Sequence, residues 1–202
     1  MTASSVDAAF EISEVVPSVV LVKFTLPIKR NPLSLSTLTH LGASLPPWLA
    51  RDDIKAIVVT GSADIFASGA DIRELAELNR RDAEHFAELG QNLFQSIANA
   101  SQRFIAAING YCFGGALDLA LACDFRLASH NATFAHPGAR LGIITGWGGT
   151  QRLPRLIGKA RALELLTTAK TIEAQTALRF GLIDRIADPV LETAIHLAIS
   201  SP

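Results

Sequence analysis

Four short apolar runs, residues 18–25 (SVVLVKFT), 55–60 (KAIVVT), 104–108 (FIAAI) and 124–128 (DFRLA), constrain this chain most. Each has the length of a strand, and their apolar residues follow one another closely, so a sheet built from them needs cover on both faces. Helical patterns lie between and after them. In residues 82–100, Phe86, Leu89, Leu93, Phe94 and Ile97 recur at steps of three and four, and residues 114–122 are almost wholly apolar. Further helical stretches cover residues 150–157, 159–170, 173–180 (closed by Gly181) and 189–199. Residues 33–50 are helical in pattern but interrupted by SLPP, because proline lacks the N–H and clashes with the preceding turn. Strands alternating with helices predict an α/β fold, in a single domain over residues 1–202.

With 49% hydrophobic and 18% charged residues, the composition is the reverse of a disordered chain's, and 202 residues suffice to bury a core without disulfides or metal. A net charge of −1 with no basic run gives no footprint for nucleic acid, and the longest apolar stretches are too short or too interrupted to span a bilayer. The N-terminal MTASSVDAAFEISEV lacks both the basic start and apolar centre of a secretory signal and the arginines of a transit peptide; the expected location is cytoplasmic. Cys112 and Cys123 have no CxxC spacing and read as reduced core residues, and the five histidines show no metal-ligand pattern, so no metal is expected.

Two places combine a strand end, a glycine and a helix start. One is Phe66 to Ile72 (FASGADI), where Gly69 permits a sharp turn and Asp71 suits the first turn of a helix. The other is Asn109 to Gly115 (NGYCFGG), directly after FIAAI. Freed backbone N–H groups point out of a helix start, and two of them converging on one point make an oxyanion hole. Taken alone, each motif reads as a tight turn with a cap. A phosphate loop is excluded at the second, since Ala116 and Leu117 stand where GxxxxGK[ST] needs Lys and Ser or Thr, and no GxGxxG is present there.

Together, FASGADIRE, IAAINGYCFGGALDLALACD, FAHPGARLGIITGWGGTQRL and the AxxxGLID segment at 174–190 resemble the crotonase, or enoyl-CoA hydratase/isomerase, family over almost the whole chain. The resemblance implies a spiral of repeated ββα-like turns with flanking C-terminal helices. It implies an acyl-CoA substrate, coenzyme A entering as part of that substrate and no covalently bound cofactor, and assembly as a homotrimer or hexamer. It places the oxyanion-hole amides on Ala70 and Gly115. Ser68, Gly69, Ile72, Gly114 and Gly138 become substrate-binding positions, with Lys29 and Arg30 as candidates for the CoA phosphates.

The sequence departs from the family where a hydratase carries its two glutamates. These positions are Asp118 and Gly138 here. Hydration needs a group to deprotonate water and one to supply a proton to the α-carbon, and Gly138 can do neither. Space at Gly138 is expected to admit water, a small anion or a larger acyl group, leaving Asp118 as the acid–base side chain. His136, two residues earlier, is a second candidate acid or base. Arg140 reads as a surface or subunit-contact residue, Trp147 as packing and His85 as exposed or capping. The family's final C-terminal helices are expected to be missing, with a more open pocket in consequence. The expected function is a lyase of fatty acid metabolism, an enoyl-CoA hydratase acting through a thioester enolate. The alternatives are an enoyl-CoA isomerase using Asp118 alone, or a catalytically silent acyl-CoA-binding or assembly subunit.

Overall fold

The computed structural model describes residues 9–200, so the first eight residues of the N-terminal stretch discussed above lie outside the described residues. A hairpin of β1 (Phe10–Val16) and β2 (Val19–Phe24) comes first. A 3-10 turn (Pro27–Lys29), α1 (Leu35–Ser44) and α2 (Pro46–Leu49) follow, with the helical stretch divided at the prolines as the sequence predicts.

Three ββα units form the body. β3 (Ala56–Thr60) and β4 (Ile65–Ala67) precede α3 (Ile72–Glu77) and α4 (Arg80–Ala98). β5 (Arg103–Ile108) and β6 (Tyr111–Phe113) precede α5 (Gly115–Ala122). β7 (Phe125–Ala128) and β8 (Thr133–Ala135) precede a 3-10 turn (Pro137–Leu141), α6 (Gly149–Ile157) and α7 (Lys159–Thr168). The chain continues through β9 (Ile172–Glu173), α8 (Ala174–Phe180), β10 (Arg185–Ile186) and α9 (Val190–Ser200).

In each unit the first strand joins a larger sheet, ordered β1-β2-β3-β5-β7-β10, and the second joins a smaller one, ordered β4-β6-β8-β9. The central pairings are parallel in both. This is the expected repeated ββα spiral.

The larger sheet is covered on both faces. On one, Ile57 and Val59 of β3 and Phe104, Ala106 and Ile108 of β5 join the main core with α1, α4 and α5. On the other, Ala56, Val58, Ile105 and Ala107 pack against Val190, Ala194 and Ala198, a four-residue repeat along one stripe of α9. The two-residue strand period therefore feeds two separate cores. Among the described residues no helix is long and apolar enough to cross a membrane.

Cys112 in β6 and Cys123 at the end of α5 are buried thiols. Burial pushes both upward in pKa, Cys123 to about 12, and the nearby Asp118 charge adds to the rise at Cys112. Native protein at pH 8 is expected to leave both unalkylated by iodoacetamide, with two equivalents reacting once guanidinium unfolds it. Rapid modification of the native form, read by mass spectrometry, would contradict this placement.

Candidate active site

The two glycine turns are built differently but end side by side. In the first, Asn31 is buried and in the left-handed region, and its Nδ2 donates to the carbonyls of Ile65 at 2.9 Å and Phe66 at 3.2 Å. Leu33 N–H donates to the Gly69 carbonyl at 2.8 Å. The turn after β4 is thereby tied to residues 31–33 before Asp71 caps α3, accepting from the Arg73 N–H at 2.9 Å. In the second, Asn109 accepts from the Gly61 N–H at 3.0 Å and donates to the Ala63 carbonyl at 2.6 Å, clamping the ends of β3 and β5. The parallel register Ala67↔Cys112 and Phe113↔Ala135 then sets Ser68, Gly114 and His136 at three adjacent strand ends. Gly114 N–H seals the arrangement by donating to the Ala135 carbonyl at 2.9 Å.

Gly69 has φ +83°, and a Cβ added to it would lie 2.6 Å from the Gly115 nitrogen and 2.7 Å from the Phe113 carbonyl oxygen. Only glycine permits this approach of one turn to the other. Ala70 and Gly115, the residues on either side of it, both line one cavity of about 260 Å³. Neither N–H is engaged in a hydrogen bond among the described residues. The remaining wall is largely apolar, with Leu75, Leu78, Phe86, Ile143, Ile144 and Leu166. Trp147 closes one side. Its indole packs against the Cα positions of Gly90 and Gly115, stands edge-on to Phe86 and Phe94, and donates to the Phe86 carbonyl at 3.3 Å.

Asp118 lies in the first turn of α5 and is fully buried, behind the cavity wall. The Thr145 hydroxyl donates to its Oδ2, and its Oδ1 is 3.2 Å from His136 Nε2. That separation is an ion-pair distance without the geometry of a well-formed hydrogen bond, and neither atom has a hydrogen bond to another group. His136 and Thr145 themselves line the cavity.

A profile of the family described as "Enoyl-CoA hydratase/isomerase" matches residues 14–200. The chain belongs to this family. It is 40% identical over 164 residues to the crotonyl-CoA hydratase of Syntrophomonas wolfei, a match covering 81% of this chain and 63% of that protein. It is 37% identical over 183 residues to the short-chain-enoyl-CoA hydratase of Clostridium acetobutylicum, covering 89% and 70% respectively. The chain thus spans about two thirds of the length of these curated relatives. The crystal structure of enoyl-CoA hydratase from Bacillus anthracis superposes with a TM-score of 0.90 at 35% identity, over 94% of this chain and 75% of that one.

Of the positions that the enoyl-CoA hydratase/isomerase resemblance singled out, Ala70, Gly115, Ser68, Ile72, Gly114 and Gly138 line the cavity, as does His136, the candidate taken from its spacing to Gly138. Gly69 supports it from behind. Lys29 and Arg30 do not line it: they sit exposed at the 3-10 turn before Asn31, with the Arg30 guanidinium 5.8 Å from the centre of the Tyr111 ring.

Two expectations need correction. Asp118 is not at the cavity surface, because the packing of α5 places its carboxylate behind His136 and Thr145. Nor is there open space where a side chain at Gly138 would point. A Cβ there would lie 2.7 Å from the Ile143 carbonyl oxygen, since the turn folds back and Ile143 N–H donates to the Gly138 carbonyl at 3.0 Å. Asn31 escaped the sequence reading altogether; its only local signal is a short polar residue before a proline.

Proposed function

We propose that this chain is an enoyl-CoA hydratase-like enzyme that holds the thioester carbonyl of an acyl-CoA between the Ala70 and Gly115 N–H groups. The observation that carries this reading is the pair of unengaged backbone donors on one cavity wall, held together by the contact of Gly69 with the Gly115 nitrogen. Attack of water at the β-carbon of an enoyl thioester moves an electron pair onto the thioester oxygen. Fixed donors aimed at that oxygen stabilise the enolate without reorganising, and each contributes on the order of 3–4 kcal/mol. The start of α5 adds its dipole at the same point.

The apolar wall and the modest volume support an acyl group of short to moderate length. A cavity of about 260 Å³ is below the usual range for drug-sized ligands, roughly 300–1,000 Å³, so it fits the reacting end of an acyl-CoA rather than the whole molecule. The nucleotide would lie outside, where Lys29 and Arg30 are available for its phosphates. The hydratase names of the relatives support water addition over double-bond isomerisation.

The test is calorimetry with butyryl-CoA, which is saturated and cannot be hydrated, together with turnover of crotonyl-CoA. Saturable 1:1 binding with hydration of crotonyl-CoA is the expected result. Absence of butyryl-CoA binding would overturn the thioester reading, and binding without turnover would leave an acyl-CoA-binding protein.

A further inference from the structure

The buried Asp118 carboxylate sits among groups that an ordinary helix cap does not need. Asp118 is fully buried, and a desolvated carboxylate persists only with partners close by. One oxygen has the Thr145 hydroxyl, which comes from the loop after the second 3-10 turn. The other has the His136 imidazole at 3.2 Å, and for both Oδ1 and Nε2 that neighbour is the available partner, since neither has a hydrogen bond to any other group. His136 is 3% exposed, and the cavity is the space it borders. Its backbone is fixed as well: it directly follows β8, whose Ala135 carbonyl accepts from Gly114 N–H, one residue before the Gly115 donor. A carboxylate, an imidazole and a cavity with two free amides therefore stand in series.

We propose that His136 is the proton-transfer residue of this site and that Asp118, itself held by Thr145, is the residue that positions its ring. The inference rests on the thioester reading above and assigns the group that moves the proton. With Nε2 turned to Asp118, Nδ1 is the ring nitrogen left for the substrate. In hydration, Nδ1 takes a proton from water as the oxygen bonds to the β-carbon and the double-bond electrons move to the thioester oxygen. The imidazolium returns that proton to the α-carbon as the thioester carbonyl re-forms. One group takes and returns one proton, and the net change is addition of H and OH across the double bond. On a saturated thioester the same group breaks and re-forms only the α C–H bond, with the electron pair resting on the thioester oxygen in between. An α-proton is then replaced by deuterium in D2O.

That exchange is the experiment. Wild-type protein is incubated with butyryl-CoA in D2O, α-deuteration is followed by mass spectrometry, and binding is measured in parallel by calorimetry. Wild type is expected to exchange, and His136→Gln to lower the exchange rate by about 10²- to 10⁴-fold with the butyryl-CoA Kd within about threefold of wild type. His136→Ala should be partly rescued by added imidazole, which a merely structural histidine would not show. Asp118→Asn should lower the exchange rate with little change in Kd, and should weaken the imidazole rescue of His136→Ala when the two are combined. Exchange that persists in His136→Gln, no exchange in a wild type that binds butyryl-CoA, or Asp118→Asn acting only on Kd would each overturn the assignment while leaving the thioester site standing. Failure of wild type to bind butyryl-CoA would overturn both.

Discussion

Lactate in place of alanine at position 70, which turns the peptide N–H into an ester oxygen, is expected to lower kcat for crotonyl-CoA by about 10²- to 10³-fold, or on the order of 3–4 kcal/mol. The Ala70 side chain and the turn are unchanged by this replacement. The N–H is lost, and the Gly69 carbonyl becomes an ester carbonyl, a weaker acceptor for the Leu33 N–H. Because the N–H engages no protein group among the described residues, the stability lost should not exceed about 1 kcal/mol, from the weakened bond of the Leu33 N–H to the Gly69 carbonyl. Affinity for butyryl-CoA should fall much less than kcat, since full negative charge reaches the thioester oxygen only along the reaction path. Equal losses in kcat and in butyryl-CoA affinity would mean that Ala70 N–H holds the ground state alone. An unchanged kcat would remove it from the mechanism.

Gly69→Ala is expected to be a strongly damaging single-methyl change. Its φ of +83° is unfavourable for any residue with a Cβ by about 1–2 kcal/mol. The added carbon would also lie 2.6 Å from the Gly115 nitrogen and 2.7 Å from the Phe113 carbonyl oxygen, which are backbone atoms that cannot rotate away. Overpacking of this kind costs about 1–3 kcal/mol more, so the two effects together lower Tm by roughly 4–20 °C for a chain of this length. Gly114→Ala is the informative comparison. It too has positive φ, but a Cβ there meets nothing nearer than the Ser68 carbonyl oxygen at 3.8 Å. The expected order of Tm loss by calorimetry is Gly69→Ala greater than Gly114→Ala. Gly69→Ala should also reduce hydration in the fraction that remains folded, because relief of the clash moves Ala70 and Gly115 apart.

Much of the scaffold could be read from the residues. The runs at 18–25, 55–60, 104–108 and 124–128 became β2, β3, β5 and β7, neighbours in one sheet, because their apolar side chains feed cores on both faces. The helices from residue 80 onward begin and end within about two residues of the expected bounds. The smaller sheet was not legible. β4, β6 and β8 are three residues each, too short to display a period, and β1 carries Glu11 and Glu14 on a largely exposed edge.

The site divides in the same way. The two glycine turns were legible because a strand end, a glycine and a helix start are local features, while Ala70 and Gly115 within them were singled out by the family resemblance; both line the cavity. The depth of Asp118 was not, because it depends on how α5 packs against the loop carrying Thr145 and the strand end carrying His136, at separations of 27 and 18 residues. The Gly138 turn failed for a related reason. A glycine in sequence suggests room, whereas here it marks the close approach of the Ile143 carbonyl. Trp147 was read as packing, and it does pack, but against the cavity wall at Gly115.

Isotope-edited infrared spectroscopy of butyryl-CoA carrying ¹³C at the thioester carbonyl tests the central claim directly. Two N–H donors on the oxygen polarise the carbonyl and weaken its double bond. The carbonyl stretch should move to lower wavenumber on binding to wild type, and the displacement should shrink when the Ala70 N–H is replaced by an ester oxygen. A bound carbonyl stretch equal to that of free butyryl-CoA, or one displaced equally in both proteins, would contradict the placement of the thioester between Ala70 and Gly115.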